Sequence, residues 1–129
     1  MSYELVWEPS GVVMRLSGFV SNAELMRARG DVDGNERFDE LRHVICDFRT
    51  STGGSIDVDD VDELAAMDLA ASRTNRDIRI AVVAAQTQAQ VIELANHYAR
   101  SKMNVYPTRT FSSEAEARVW LGAFCMHTV

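Results

Sequence analysis

The sequence predicts an α/β domain: a mixed sheet of four or five strands with about four helices, in the order ββαβαβαβα. Three observations carry this. Two short runs of strand-forming residues at the start are split by a Pro/Gly turn. Two later apolar runs, residues 43–48 and 78–85, have the character of buried strands. Each of those is followed by residues whose apolar spacing is helical. Strands alternating with helices imply parallel pairing through right-handed crossovers, here attached to an antiparallel hairpin.

Residues 3–7 and 12–16 are the hairpin strands, and Glu8-Pro9-Ser10-Gly11 places Pro and Gly where a type I turn prefers them. Ser21 and Glu24 form a capping box, with Leu25, Ala28 and Val32 behind it, so a helix is expected over 22–32. Residues 31–42 carry Asp31, Asp33 and Asn35 at the first ligand positions of a calcium loop. Glu36 stands where the turn glycine is needed and Arg42 where a bidentate Glu closes the site, so a polar loop is expected instead. Residues 43–48 form a strand buried on both faces, followed by a loop rich in Ser, Thr and Gly. Val58, Val61, Ala65 and Leu69 share one face of a helix expected to run to about residue 75, with Asp68 at its rim or paired.

Residues 78–85 are the expected central strand. Thr87 and Gln90 suggest a second capping box, ahead of the stripe Val91, Leu94, Ala95, Tyr98 and Ala99. Residues 104–111 form the last extended segment, and Pro107, which cannot donate to a ladder, puts it at an edge or a bend. Ser113 and Glu116 suggest a third capping box, with Ala117, Trp120, Leu121 and Phe124 on one face of the final helix. Residues 126–129 are expected to be a loose tail.

The chain of 129 residues is read as one domain, 1–129, large enough to fold around a core without staples. Its 13 basic and 19 acidic residues give a net charge of −6, which supplies no long-range pull toward nucleic acid or an anionic membrane. Cys46 and Cys125 match no metal or redox spacing. The first residues lack a signal-peptide pattern and no apolar run approaches membrane-spanning length, so a cytoplasmic location without membrane insertion is expected.

The opening hairpin, the strand ending in Ile45-Cys46-Asp47-Phe48, the acidic helix start, the strand over 78–85 and the ending TRTFSSEAEARVWL together resemble the STAS superfamily, in its SpoIIAA-like branch, which is itself similar to a trimmed Sec14 lipid-binding domain. The resemblance implies a non-enzymatic regulatory module. In that family's anti-sigma-factor antagonists a phosphorylatable Ser follows the Asp-bearing strand. The corresponding spacing here falls on Ser55, Ile56 and Asp57, so no serine occupies the switch position and Ser55 beside it is the candidate for phosphorylation.

The site is therefore placed at residues 49–63. Asp47, Arg49, Ser51, Thr52, Ser55, Asp57, Asp59 and Asp60 are its candidate partner- or ligand-binding residues, and a basic protein partner is the expected occupant. Several of these admit plainer roles. Asp57, Asp59, Asp60, Asp62 and Glu63 complement the helix dipole as a solvated face, and Asp47 suits an Asx turn. Gly53-Gly54 lacks the pattern of a phosphate loop and gives backbone freedom. His43, His97 and His127 have no metal-pairing spacing, and no catalytic triad can be assembled, so no enzyme, cofactor or metal is expected. The alternative is a small apolar, lipid-like ligand held between sheet and helices and lined by Met14, Met26, Met67, Trp120 and Phe124, positions that are more often ordinary core. Val119, off the main stripe, and the strand near Pro107 suggest a homodimer.

Overall fold

A computed structural model of the chain describes the backbone of residues 3–125 and the side chains of residues 3–122. The expected tail at 126–129 and the side chains of Phe124 and Cys125 lie outside the described residues. Five strands form one sheet in the order β1-β2-β3-β4-β5: β1 (Tyr3–Glu8), β2 (Gly11–Val20), β3 (His43–Gly54), β4 (Arg79–Val83) and β5 (Thr108–Phe111). β1 and β2 pair antiparallel, and every later pair is parallel. The helices are α1 (Asn22–Asp33), α2 (Val58–Ala71), α3 (Ala89–Arg100) and α4 (Glu114–Cys125). The predicted class and element order hold.

Strand alternation divides the core by face. Val12, Met14, Leu16, Val44, Cys46, Ile80 and Val82 point toward α1, α2 and α3. Val13, Ile45, Ala81 and Val83 point the other way, against Ala117 and Leu121 of α4. The Ser21–Glu24 capping box opens α1 as predicted, and Glu116 N donates to Ser113 Oγ at the start of α4. β5 is an edge strand, and Pro107 contributes only its carbonyl, which accepts from Ile80 N at 2.9 Å.

The differences have local causes. The Ser/Thr/Gly tract is not a loop: residues 49–54 continue β3 and pair with 17–20, which lengthen β2 beyond the predicted Leu16. Residues 31–42 are not a polar loop. α1 runs to Asp33, then Asn35 caps a 3-10 turn (Glu36–Glu40) whose Phe38 is buried. α2 stops at Ala71, because Ser72 Oγ turns back to Leu69 O at 2.6 Å and Asn75 Nδ2 is committed at 2.8 Å to both Phe38 O and Leu41 O. The Thr87–Gln90 box does not form, since α3 begins at Ala89 behind Gln88, whose side chain makes no cap bond. The last strand begins only at Thr108. Tyr106 before it is buried and donates its hydroxyl to Asn75 O at 2.8 Å.

Candidate functional site

Two irregularities in β3 decide where the predicted site residues go. Arg15 pairs with Asp47 but Ser17 with Thr50, and Gly18 pairs with Ser51 but Phe19 with Gly53, so β3 carries one extra residue at each step. Such bulges re-aim side chains. Gly18, at φ 66°, and Gly53, at φ 152°, take the backbone angles that this path requires. Gly54 lies so close to β2 that an added Cβ would sit 2.5 Å from Val20 O.

Asp47 and Arg49 fall on the α4 side. Asp47 accepts from Arg49 N and Nε, each at 3.0 Å, from Arg49 Nη2 at 2.8 Å and from Arg15 Nη1 at 2.8 Å. The amide two residues on is the Asx contact the sequence suggests. Burial alone would raise the Asp47 carboxyl, but the bonds from Arg49 and the charge of Arg15 hold it below its ordinary value. Glu114 continues the network, accepting from Arg15 Nη1 at 3.2 Å and from Arg118 Nε at 3.0 Å. Glu8 then accepts from Arg118 Nη2 at 2.5 Å and meets His43 Nε2 at 2.9 Å. A carboxylate held ionised by so many donors is a poor proton acceptor; it clamps β2, β3 and α4 together.

Ser51 and Thr52 fall on the other side, with Gly53, Gly54 and Ile56, at the rim of a cavity of about 390 Å³ between sheet and helices. Its walls are mostly apolar and include Leu25, Phe48, Val82 and Leu94. The residues predicted for such a space are not its lining. Met14 is sealed in the core, Met26 and Met67 stand elsewhere, and Trp120 lies on the α4 face beside Phe111, with Phe124 outside the described side chains. The rim is pinned by a residue the sequence reading passed over. Gln88 Nε2 reaches Phe48 O at 2.8 Å and Ser51 O and Oγ at 3.2 Å, while its Oε1 accepts from Ala85 N at 2.8 Å. A polar residue just ahead of an apolar helical stripe was the available signal.

A second unpredicted group sits deeper. Arg29 of α1 and Asp68 of α2 are buried and joined at 2.6 Å, and Tyr98 of α3 donates its hydroxyl to the same carboxylate. Asp68 is thus paired, one of the two outcomes its position allowed. Burial pulls the Arg29 guanidinium down, but Asp68 beside it more than offsets that and keeps it charged. Burial raises the Tyr98 hydroxyl, and Asp68 adds to the effect. Cys46 is a buried free thiol that burial pushes up to about 11. It is protonated at neutral pH, as a small core hydrophobe would be.

Asp57, Asp59 and Asp60 stand at the start of α2. Asp57 caps it, accepting from Asp60 N at 2.9 Å, while Asp60 Oδ2 accepts from Asp57 N at 3.0 Å. Asp57 and Asp59 are exposed, as is Ser55. Two apolar side chains are exposed in the adjoining segments: Val58, 48% exposed, at the first position of α2, and Phe19, 61% exposed, which pairs with Gly53 of β3. His97 is half-buried and meets Asp62 at 2.8 Å on the flank of α2. Among the described residues there is no cluster of three or more His, Cys, Asp or Glu able to hold a metal ion. No helix among them is long and apolar enough to cross a membrane.

No protein-family model matches the sequence, and no curated protein matches it either. Solved structures do. The anti-sigma factor antagonist SpoIIAA in its unphosphorylated form is 13% identical, with a TM-score of 0.57 over 92% of this chain and 96% of that one. SpoIIAA in its phosphorylated form, a Bacillus cell fate determinant, is 14% identical, with a TM-score of 0.53 over 92% of this chain and 98% of that one. A protein from Shewanella loihica with a SpoIIAA-like fold is 13% identical, with a TM-score of 0.49 over 92% of this chain and 91% of that one. The chain has a SpoIIAA-like fold, as its sequence resemblance implies.

Proposed function

We propose that this chain is a non-enzymatic regulatory module that docks a basic protein partner on the corner where β3 passes into α2. The observation that carries this reading is Phe19, 61% exposed on a strand whose other apolar side chains are buried, and paired with Gly53 a few residues ahead of the acidic first turn of α2. An exposed aromatic ringed by polar groups is the usual anatomy of an interaction hot spot. The carboxylates of Asp57, Asp59 and Asp62 give such a surface its charge preference and steer a cationic partner toward it. Asp47 and Arg49 hold the frame from the α4 side, while Ser51 and Thr52 shape the other edge.

The fold supports a regulatory role by likeness: one structural neighbour is described as an anti-sigma factor antagonist, and the same protein is known in a phosphorylated form. Ser55 is the exposed hydroxyl closest to the corner in sequence. A phosphate there adds charge beside Asp57, and Arg49, the nearest cation in sequence, is already committed to Asp47. The test is affinity capture with the whole chain, comparing wild type, Phe19→Ala and the triple variant Asp57→Asn/Asp59→Asn/Asp60→Asn, in which Asn retains the helix cap. A basic protein held by wild type, released by salt and lost from both variants is expected. Capture that neither variant weakens refutes the docking face.

A further inference from the structure

We infer that the cavity between β3, β4 and α3 binds a small, uncharged, mainly apolar molecule through a carbonyl or similar acceptor, to which Arg29 Nε donates. This goes beyond the docking reading and stands without it. The volume of about 390 Å³ falls within the range of about 300–1,000 Å³ typical of ligand pockets. Apolar walls with few convergent polar groups are the usual composition of such sites.

Arg29 is the charged residue among its lining. It lines the cavity, is 4% exposed, and spends Nη2 on Asp68. Its Nε–H is buried with no hydrogen-bond partner. A buried donor left unmade is unfavourable, and a donor on a charged group makes the stronger bond when an acceptor arrives. A lone water would satisfy Nε but would sit against apolar walls, which hold water poorly.

The surrounding charges select the head group. Asp68 already balances Arg29, and Asp33 is a second carboxylate within its electrostatic reach. An anionic ligand would therefore meet two like charges and gain little from the guanidinium. A neutral acceptor takes the free Nε–H without that repulsion. The rim fits reversible entry: Thr52, Gly53 and Gln90 are exposed, and the Gln88 side chain closes the rim with hydrogen bonds that can open and reform.

The experiment follows backbone amides and the arginine Nε–H signals of the 15N-labelled full chain during titration with three probes of similar shape. These are propiophenone, which has a carbonyl, propylbenzene, which has none, and 4-ethylbenzoate, which is anionic. Saturable shifts at Gly54, Val82 and Leu94 with propiophenone are expected, together with a downfield move of the Arg29 Nε–H signal. Propiophenone should bind about tenfold or more tightly than propylbenzene, the ratio for one charge-assisted hydrogen bond. Arg29→Lys, which keeps the charge against Asp68 but lacks Nε, should erase that ratio, and Leu94→Trp should abolish binding of both neutral probes. Equal affinities for the two neutral probes in wild type, tightest binding of the benzoate, or no saturable shift with any probe would each overturn the inference. These wild-type titrations decide the matter even if a variant folds poorly. Loss of partner capture leaves them untouched.

Discussion

Replacing Asp68 by Asn changes the charge at the junction of α1, α2 and α3 while keeping its size and an acceptor for the Tyr98 hydroxyl. Arg29 is then left buried as an unpaired cation, since its Nη2 is bonded to Asp68 and it is only 4% exposed. Removing one partner of a buried ion pair is destabilising by about 3–5 kcal/mol, because the remaining charge has lost both water and counter-charge. For a domain of this size each kcal/mol moves Tm by about 4 °C, so Asp68→Asn should melt about 12–20 °C below wild type. Urea unfolding monitored by circular dichroism measures the free energy directly. The double variant Arg29→Met/Asp68→Leu supplies the contrast. With both charges gone and the volume kept roughly apolar, most of the loss should be recovered, since such pairs are often replaceable by hydrophobes. A loss below about 1 kcal/mol in Asp68→Asn, or a double variant as unstable as the single one, would refute the assignment of this pair as the lock between the helices.

Other consequences can be measured alongside. Burial pushes the Cys46 thiol up to about 11, whereas an unfolded thiol ionises near about 8.5. The stability tied to its neutral form is complete below about pH 8.5 and is lost as pH rises toward 11, by about 3 kcal/mol from this group. Alkaline unfolding midpoints should therefore be less steep in Cys46→Ala than in wild type. At the acid end Asp47, Glu8 and Glu114 are held below their ordinary values by Arg49, Arg118 and Arg15, so their contribution is present above about pH 4 and fades as pH falls below it. Thermal melts from pH 6 to 2 should show that fall, and Arg118→Gln should reduce it. Gln88→Ala removes the clasp between the start of α3 and β3 and should destabilise by about 1–3 kcal/mol. Hydrogen exchange at the Ala85 amide should speed up accordingly. Val119, 75% exposed on α4, predicts that if light scattering finds a dimer, Val119→Asp returns it to monomers.

The architecture was legible because its signals are local and repeated. The runs at 43–48 and 78–85 are too apolar for anything but buried strands, and the Ser21 box marks the start of α1. The errors arose where a polar composition hid a tertiary commitment. Residues 49–54 look like a loop because Ser, Thr and Gly are poor strand-formers, yet the equally unpromising Ser17-Gly18 opposite supplies a ladder for them. Asn75 looks like a helix residue, but its amide bridges two distant carbonyls. The candidate site fared likewise. Asp57, Asp59 and Asp60 do open a helix as expected, whereas Asp47 and Ser51, close in sequence, face opposite layers. Arg29 carried no mark at all, and Gln88 only its place ahead of a helical stripe, since their meaning depends on partners far along the chain.

The two surplus residues in β3 also bear on how this segment could change length. From Arg15 to Val20 the shorter strand takes five steps, while its neighbour takes seven from Asp47 to Gly54. Each surplus residue is absorbed where it occurs: Ser17 and Thr50, paired just after the first bulge, lie on the same face and join their hydroxyls at 2.9 Å. Losing one residue at either step would straighten that bulge and leave the pairing beyond it in phase. Length can therefore change here one residue at a time, and what each change alters is the aim of the side chains beside it.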